Sequence, residues 1–413
     1  MQKFFKDINK KETVSWAFFD FANSSYYLLI ISFVFPIYFK EVIAAGKFAD
    51  FWWGAIISIS ILLGALFSPI VGAMADYEGT RKRKFVIFTL ISVSGTALLY
   101  FTGSKTLLLT SLIFITTHFF YELAIVIYDS LLIQVSTKET VGRISGLGWG
   151  LGYIGGIVAM LALKPFYGGG FEGNLDSVYK LTFPLTALFF LLFSLPAFIF
   201  IKETRSNRAK ISLIALLKIA CKDVFATIKE IRKYKNIACF LLAFYFVNDA
   251  LVTVFAFVPI YAKTTLSLSV SEITILFLLI QLIGFPSTVF FGLLSDKKGA
   301  KKILLSTITL WAVIIILCAI STSKGLFYVA SVLTGLVIGS SQAVARSWLS
   351  KIIPTDKRSE FFGFNGFATK VSATTGPVLF GTISSITGNQ RIAMIALLPF
   401  FIIAFIIFAK IKE

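Results

Sequence analysis

Five apolar stretches of this 413-residue chain carry polar or ionisable side chains. Asp20 and Asn23 stand in one, His118, Glu122 and Asp129 in a second, and Asn248 and Asp249 in a third; Gln342 with Arg346, and Asn365 with Lys370, occupy the last two. A charged group near the centre of a lipid-embedded helix costs at least about 2.5 kcal/mol, so such groups normally face a cavity or a partner. At 100° per residue His118, Glu122 and Asp129 fall within about 40° of one another, a single polar stripe. A rise of 1.5 Å per residue sets Asp129 about 10 Å nearer one membrane face than Glu122. Carboxylates so placed can pass a proton through water or hold a substrate ammonium; alternatively Glu122 pairs with His118 or Lys370 and fixes helix packing. Asp249 is the foremost candidate for substrate or proton binding, the alternative being a structural hydrogen bond. Lys370 can neutralise Asp249 or Glu122, or bind a carboxylate. Enzyme signatures are missing. With one histidine and no H-E-x-x-H, G-x-S-x-G, phosphate loop or dinucleotide fingerprint, no catalytic residue, metal or cofactor is expected.

The elements that carry these residues must be membrane helices. Hydrophobic residues make up 57% and charged residues 15%, well short of the roughly 25% charge usual in soluble domains. A crossing helix needs about 20 apolar residues. Twelve segments qualify, at 15–39, 51–75, 85–102, 107–135, 144–163, 180–201, 237–262, 273–294, 303–320, 326–350, 361–385 and 392–409. The polar residues above lie on spans 1, 4, 7, 10 and 11, whereas spans 3, 6, 9 and 12 have no ionisable residue in their interiors. Spans 1, 4, 7 and 10 are therefore expected to line a wet path, with every third span facing lipid.

Positive residues in short loops stay cytoplasmic. With both termini inside, the inner segments hold 29 Lys and Arg and the outer ones eight, which predicts that orientation. The net charge of +18 is then matched by anionic headgroups rather than nucleic acid. No apolar run with a small-residue cleavage site precedes span 1, so no removable signal is expected. Cys221, Cys239 and Cys318 have no metal-ligand spacing, and no disulfide is expected.

The chain repeats itself. Phe35-Pro36-Ile37-Tyr38 ends span 1 and Val258-Pro259-Ile260-Tyr261 ends span 7; Gly72, Asp76, Gly79 and Arg81 recur as Gly292, Asp296, Gly299 and Lys301; Asp129-Ser130 matches Arg346-Ser347. Collinear matches of this kind mark duplicated bundles, and an even span number gives both halves one orientation, with the relating axis along the membrane normal. The opposite signs of Asp129 and Arg346 suggest a salt bridge, either a gate or a static tie. The predicted organisation is a six-helix bundle at 1–201, a cytoplasmic linker at 202–236 and a second bundle at 237–413. Within the linker, apolar residues from Ile211 to Ile231 recur at helical spacing opposite Lys218, Lys222, Lys229 and Arg232, which predicts an interfacial amphipathic helix. Gly148, Gly152 and Gly156 in span 5 predict a close helix approach.

The loop Gly72-x-x-x-Asp76-x-x-Gly79-x-Arg81-Lys82-Arg83, with its copy at 292–302, resembles the cytoplasmic signature of the major facilitator superfamily. Within that superfamily the chain is similar to the vacuole-effluxer-like branch, named for a fungal exporter of vacuolar amino acids. The matching residues are Trp16-Ala17-Phe18-Phe19-Asp20-Phe21-Ala22-Asn23, Gly142-Arg143-Ile144-Ser145-Gly146, Asn248-Asp249, Gln342 to Ser347, Glu360 to Phe364, Lys370, Gly376-Pro377 and Thr387 to Arg391. The chain departs from the branch at Asp129, where the pattern has an uncharged Asn. The resemblance implies an all-α integral membrane protein with twelve transmembrane helices in two bundles. It also implies alternating access, exchange of protons or solute, and a gating role for Asp76 and Arg81, with Asp296 and Lys301 as a weaker second lock.

Three functions fit these readings. The first is a proton-coupled secondary transporter for a small polar solute, an amino acid or related metabolite, with Asp249, Asn248, Glu122, His118, Asp20, Asn23 and Lys370 as substrate or proton groups. The second is a lipid or amphiphile flippase on the same scaffold; the third is a non-transporting receptor or scaffold whose buried charges are paired and inert. The expected partners are a small molecule, protons and membrane lipids, the expected state a monomer, and the expected location a bacterial cytoplasmic membrane.

Overall fold

The computed structural model describes residues 9–137, 140–171, 176–203, 229, 233–353 and 358–411. All regular elements among them are helical, as lipid demands of a chain whose backbone groups must pair without water. They are α1 (Lys10–Tyr26), α2 (Val34–Tyr38), α3 (Ala49–Glu78), α4 (Arg81–Leu98), α5 (Leu107–Val135), α6 (Val141–Tyr167), α7 (Asp176–Phe200), α8 (Lys235–Thr264), α9 (Val270–Lys298), α10 (Ala300–Ile320), α11 (Lys324–Ile352), α12 (Arg358–Ser372), α13 (Thr375–Thr387), α14 (Gln390–Ile395) and α15 (Leu398–Lys410). Eleven helical stretches among the described residues are long and apolar enough to cross a membrane. The twelfth expected span, 361–385, is not one continuous helix: α12 and α13 are separated by a turn at 373–374. Pro377 favours the break, since it lacks an N–H and sits most easily in a helix's first turn, where it stands in α13.

Proline also interrupts span 1. Beyond α1 the chain winds as a π-helix over Tyr27–Ser32, turns at Phe33, and continues through α2 into a second π segment, Phe39–Ile43. Pro36 stands four residues after Ser32 and would clash with its carbonyl in a regular helix. Pro259, its counterpart in the repeat, sits within an unbroken α8.

Contacts group the chain into two compact units, one of Met1–Tyr38 with Leu63–Ala220, the other of Phe39–Leu62 with Cys221–Glu413. In the first, α1 packs on α6 and α7, and α4 on α5 and α7. In the second, α8 packs on α12, α13 and α15, and α10 on α11, α14 and α15. Span for span these pairs correspond, so in them the sequence repeat is also a packing repeat. Rows such as Leu188, Leu192 and Ile199 on α7, or Ile402, Ile403 and Ile406 on α15, are exposed, as helices bathed in acyl chains require. The segment 39–62, which the repeat assigns to the first half, packs with the second unit. The expected amphipathic linker helix lies outside the described residues.

The glycine stripe of α6 meets α1. A Cβ on Gly148 would run into the Asp20 carboxylate and come within 3.0 Å of the Trp16 ring, and one on Gly152 would stand 3.1 Å from Ser24 Oγ. The tightest approach is at Gly155, where a Cβ would overlap the Phe21 carbonyl and lie 2.6 Å from Phe21 Cα. Such backbone-to-backbone contact is what small residues allow between membrane helices.

Candidate transport site

In the first unit the chemistry gathers where α1 faces α5. Tyr128 Oη donates to Asp20 Oδ2 at 2.8 Å, and Asn23 Nδ2 donates to Asp20 Oδ1 at 3.2 Å. Tyr121 Oη donates in turn to Asn23 Oδ1 at 3.4 Å. The Trp16 indole stacks on Tyr128 with ring centres 4.5 Å apart and donates its N–H to the Tyr128 carbonyl at 3.0 Å. Tyr121 and Tyr128 are seven residues apart, hence on one face of α5, and that face fixes the rotamer of Asp20. Asp20 remains partly exposed while Asn23 is buried. Sequence reasoning selected Asp20 and Asn23 but missed both tyrosines; their seven-residue spacing beside the polar stripe was the available signal.

His118 is buried, with Nε2 3.9 Å from Glu122 Oε1. Rings of Phe114, Tyr121 and Tyr26 surround the imidazole. Glu122 is partly exposed, and Gly64 of α3 presses against its stem, since a Cβ there would fall 2.8 Å from Glu122 Cβ. Asp129 is exposed further along α5. The stripe therefore grades from a buried imidazole to an exposed carboxylate.

In the second unit Asn248 and Asp249 grip both sides of the break between α12 and α13. Asn248 Nδ2 donates to the Thr369 carbonyl at 2.8 Å and to Ser372 Oγ at 2.9 Å, at the end of α12. Asp249 Oδ1 accepts the Gly376 backbone N–H at 2.7 Å, in the first turn of α13. A carboxylate there satisfies a donor the helix itself cannot pair and suits the positive end of its dipole. Thr253 Oγ1 bonds back to the Asp249 carbonyl at 2.7 Å, and Gly376 leaves no room for a Cβ between Thr253 and Asp249. Asp249 is wholly buried. Lys370 and Asn365 lie on α12 and are partly buried.

Two family models match this chain. The family model described as "Vacuole effluxer Atg22 like" matches residues 134–413, and that of the Major Facilitator Superfamily matches residues 2–160. This chain belongs to the Atg22-like vacuole effluxer family. It is 27% identical over 411 residues to the uncharacterized MFS-type transporter YxiO of Bacillus subtilis (strain 168), covering 98% of this chain and 95% of that protein. It is 27% identical over 283 residues to autophagy-related protein 22 of Cryptococcus neoformans, covering 64% of this chain and 51% of the fungal one. Among solved structures, a nucleoside transporter NupG mutant superposes with a TM-score of 0.75 at 15% identity, covering 98% of this chain and all of that one. The D-xylose–proton symporter gives 0.71 at 15% identity, covering 98% and 97%. The Atg22-like chain thus has the major facilitator fold and is an integral membrane transporter rather than an enzyme, with a small molecule as its substrate.

The residues assigned to gating, by resemblance or by repeat position, lie on several elements of this Atg22-like fold. Asp76 lies in the last turns of α3 and Asp296 in those of α9, and their side chains are outside the described set. Arg81 opens α4. Among the described residues, Glu203, just beyond α7, brings a carboxylate to this loop and accepts the backbone N–H groups of Lys82 at 2.8 Å and Arg83 at 2.9 Å. Sequence reasoning passed over Glu203, because a lone acid after a span looks like any solvated loop residue. Lys301 Nζ donates to the Ile411 carbonyl past the end of α15 at 2.6 Å, so it ties that helix terminus. Arg346 is exposed on α11. Glu203→Gln is expected to keep only one acceptor for the two N–H groups and to cost about 1 kcal/mol. Thermal unfolding in detergent checks this, and an unchanged midpoint would show the cap to be idle.

Proposed function

We propose that this Atg22-like chain is a secondary transporter that moves a small polar solute, an amino acid or related metabolite, by alternating access coupled to protons. The observation that carries the proposal is the Asp20 carboxylate, held by Tyr128 and Asn23 yet partly exposed in the interior of span 1. A membrane protein keeps an ionisable group there at an energetic cost, which function repays. Glu122, with His118 behind it and Asp129 further along α5, extends the same acidic surface, suited to an ammonium or a proton. Asp249 and Asn248 act as positioning groups, since both carry their hydrogen bonds to the broken span and Asp249 has no exposed surface. They hold α12 so that Lys370 and Asn365 stand on a defined face. The 29-to-8 distribution of Lys and Arg supports cytoplasmic termini in a bacterial inner membrane, and the chain is taken to act as a monomer.

Counterflow in proteoliposomes tests the reading. Vesicles are loaded with unlabelled amino acids one at a time, and labelled uptake is followed at two pH values. Exchange of one solute is expected, lowered at least tenfold by Asp20→Asn. Exchange that survives this substitution would remove Asp20 from the site. Failure of every amino acid with folded protein would overturn the cargo class and direct the search to lipid translocation.

A further inference from the structure

The first unit has a cavity that the groups above do not use. It lies where α1 begins and α7 ends, has a volume of about 360 Å³, and is lined by Lys10, Lys11, Val14, Ser15 and Phe200. Residues 10 and 14, and 11, 14 and 15, are three or four apart and so share one face of α1. Both lysines are exposed, and Lys11 Nζ stands 3.9 Å from the centre of the Phe200 ring. Glu12, the acid of the same turn, is engaged elsewhere: Asn9 Nδ2 donates to its Oε1 at 2.8 Å, and Lys202 Nζ lies 3.8 Å from that oxygen. Ser15 is 4% exposed, and its hydroxyl makes no hydrogen bond among the described residues. The cavity thus gathers two ammonium groups and a hydroxyl donor that has nothing to donate to, and it asks for an acceptor with negative charge.

Further along the two helices the surface turns apolar. Val14 and Phe18 continue the lysine face of α1 at helical spacing and are partly exposed. Phe21, the next on that face, meets Phe193 and Phe189 of α7 with ring centres 4.7 and 5.6 Å apart. On α7 itself Leu192, Leu195 and Ile199 are exposed. From Lys11 to Phe18 is about 10 Å at 1.5 Å per residue, so the polar donors stand at headgroup level and the aromatic wall at the depth of the first methylenes. A phosphodiester accepts charge-assisted hydrogen bonds from ammonium and hydroxyl groups, and basic pockets between spans recognise such headgroups. A soluble anion would leave the Phe200 and Phe18 wall unused. A zwitterionic headgroup would bring an ammonium of its own against Lys10 and Lys11.

We propose that this cavity binds one anionic phospholipid, its phosphate oxygens taken by Lys10, Lys11 and Ser15 and an acyl chain laid along Phe200, Val14 and Phe18. The lipid fastens the start of α1 to the end of α7, and the inference stands whether or not the chain carries an amino acid. It is tested on the full chain in lipid nanodiscs holding phosphatidylglycerol or phosphatidylcholine with a diazirine in one acyl chain; after irradiation, peptide mass spectrometry locates the adducts. Phosphatidylglycerol is expected to label segments 14–21 and 192–200 about tenfold more heavily than phosphatidylcholine, and Lys10→Ala combined with Lys11→Ala to abolish that preference. Ser15→Ala is expected to lower it by less. Lys297→Ala combined with Lys298→Ala takes the same charge from exposed positions at the end of α9 and is expected to leave the preference intact, as is an excess of inorganic phosphate. If the first double variant does not fold, Lys11→Gln carries the comparison. Equal labelling by the two lipids, an equal loss in the Lys297 and Lys298 variant, or displacement by inorganic phosphate overturns the lipid site.

Discussion

Leucine in place of Gly155 is expected to abolish recovery of folded protein, and alanine there to lower the thermal midpoint by roughly 5 °C or more. The nearest atoms to a new Cβ are backbone atoms of Phe21, which cannot swing aside as a side-chain end would. Relief requires α1 and α6 to separate. Because α1 also carries Asp20, its displacement shifts the carboxylate away from the Tyr128 hydroxyl on α5, while Asn23, on the same helix, moves with it. Gly72, whose Cβ would meet nothing within 4 Å, is the control: Gly72→Ala is expected to leave the midpoint within about 1 °C or raise it slightly. Thermal stability by fluorescence-detected size exclusion measures all three, and a Gly155→Ala midpoint equal to the parent's would refute the close-contact account.

The second large effect concerns Asp249. Asp249→Ala removes the acceptor of the Gly376 N–H and leaves that buried donor unpaired, a loss of about 1–3 kcal/mol, and solute exchange is expected to fall at least tenfold with it. Asp249→Asn keeps an oxygen where Oδ1 stands but no charge, so it is expected to retain both the fold and most of the exchange. Asn248→Ala strands the Ser372 end of α12, and combined with Asp249→Ala it is expected to cost less than the two losses added, since both act on one break. If Asp249→Asn eliminates exchange while its thermal midpoint holds, the residue serves through its charge and the positioning role is wrong.

Much of the fold is legible in the residues. Apolar run lengths locate the spans, and the offsets of Pro36 and Pro259, Asp76 and Asp296, and Asp129 and Arg346 expose a duplication that recurs as matching helix pairings. Gly376-Pro377 marks the break in span 11, although hydropathy alone reads 361–385 as continuous, because window averages register composition and ignore a missing N–H. The tyrosines beside Asp20 were harder to see. An aromatic residue in a membrane helix is ordinarily packing or an interfacial anchor, and only the facing of α5 toward α1 turns Tyr121 and Tyr128 into hydrogen-bond donors. Asp50 illustrates the converse: at the edge of a span it reads as a loop charge, yet it is buried by partners more than 330 residues away in sequence.

The sequence by itself determined the solvent, the approximate places of the apolar spans, the duplication and the family, since each depends on composition, periodicity or motif spacing along one chain. Tertiary structure alone decided which polar residues share a site. It joined Asp20 to Tyr128, set Asn248 and Asp249 across a broken helix, and carried the segment 39–62 to the second unit. The physical reason is that hydrogen bonds act over about 3 Å whereas these partners are 100 or more residues apart, and only packing brings them within that range.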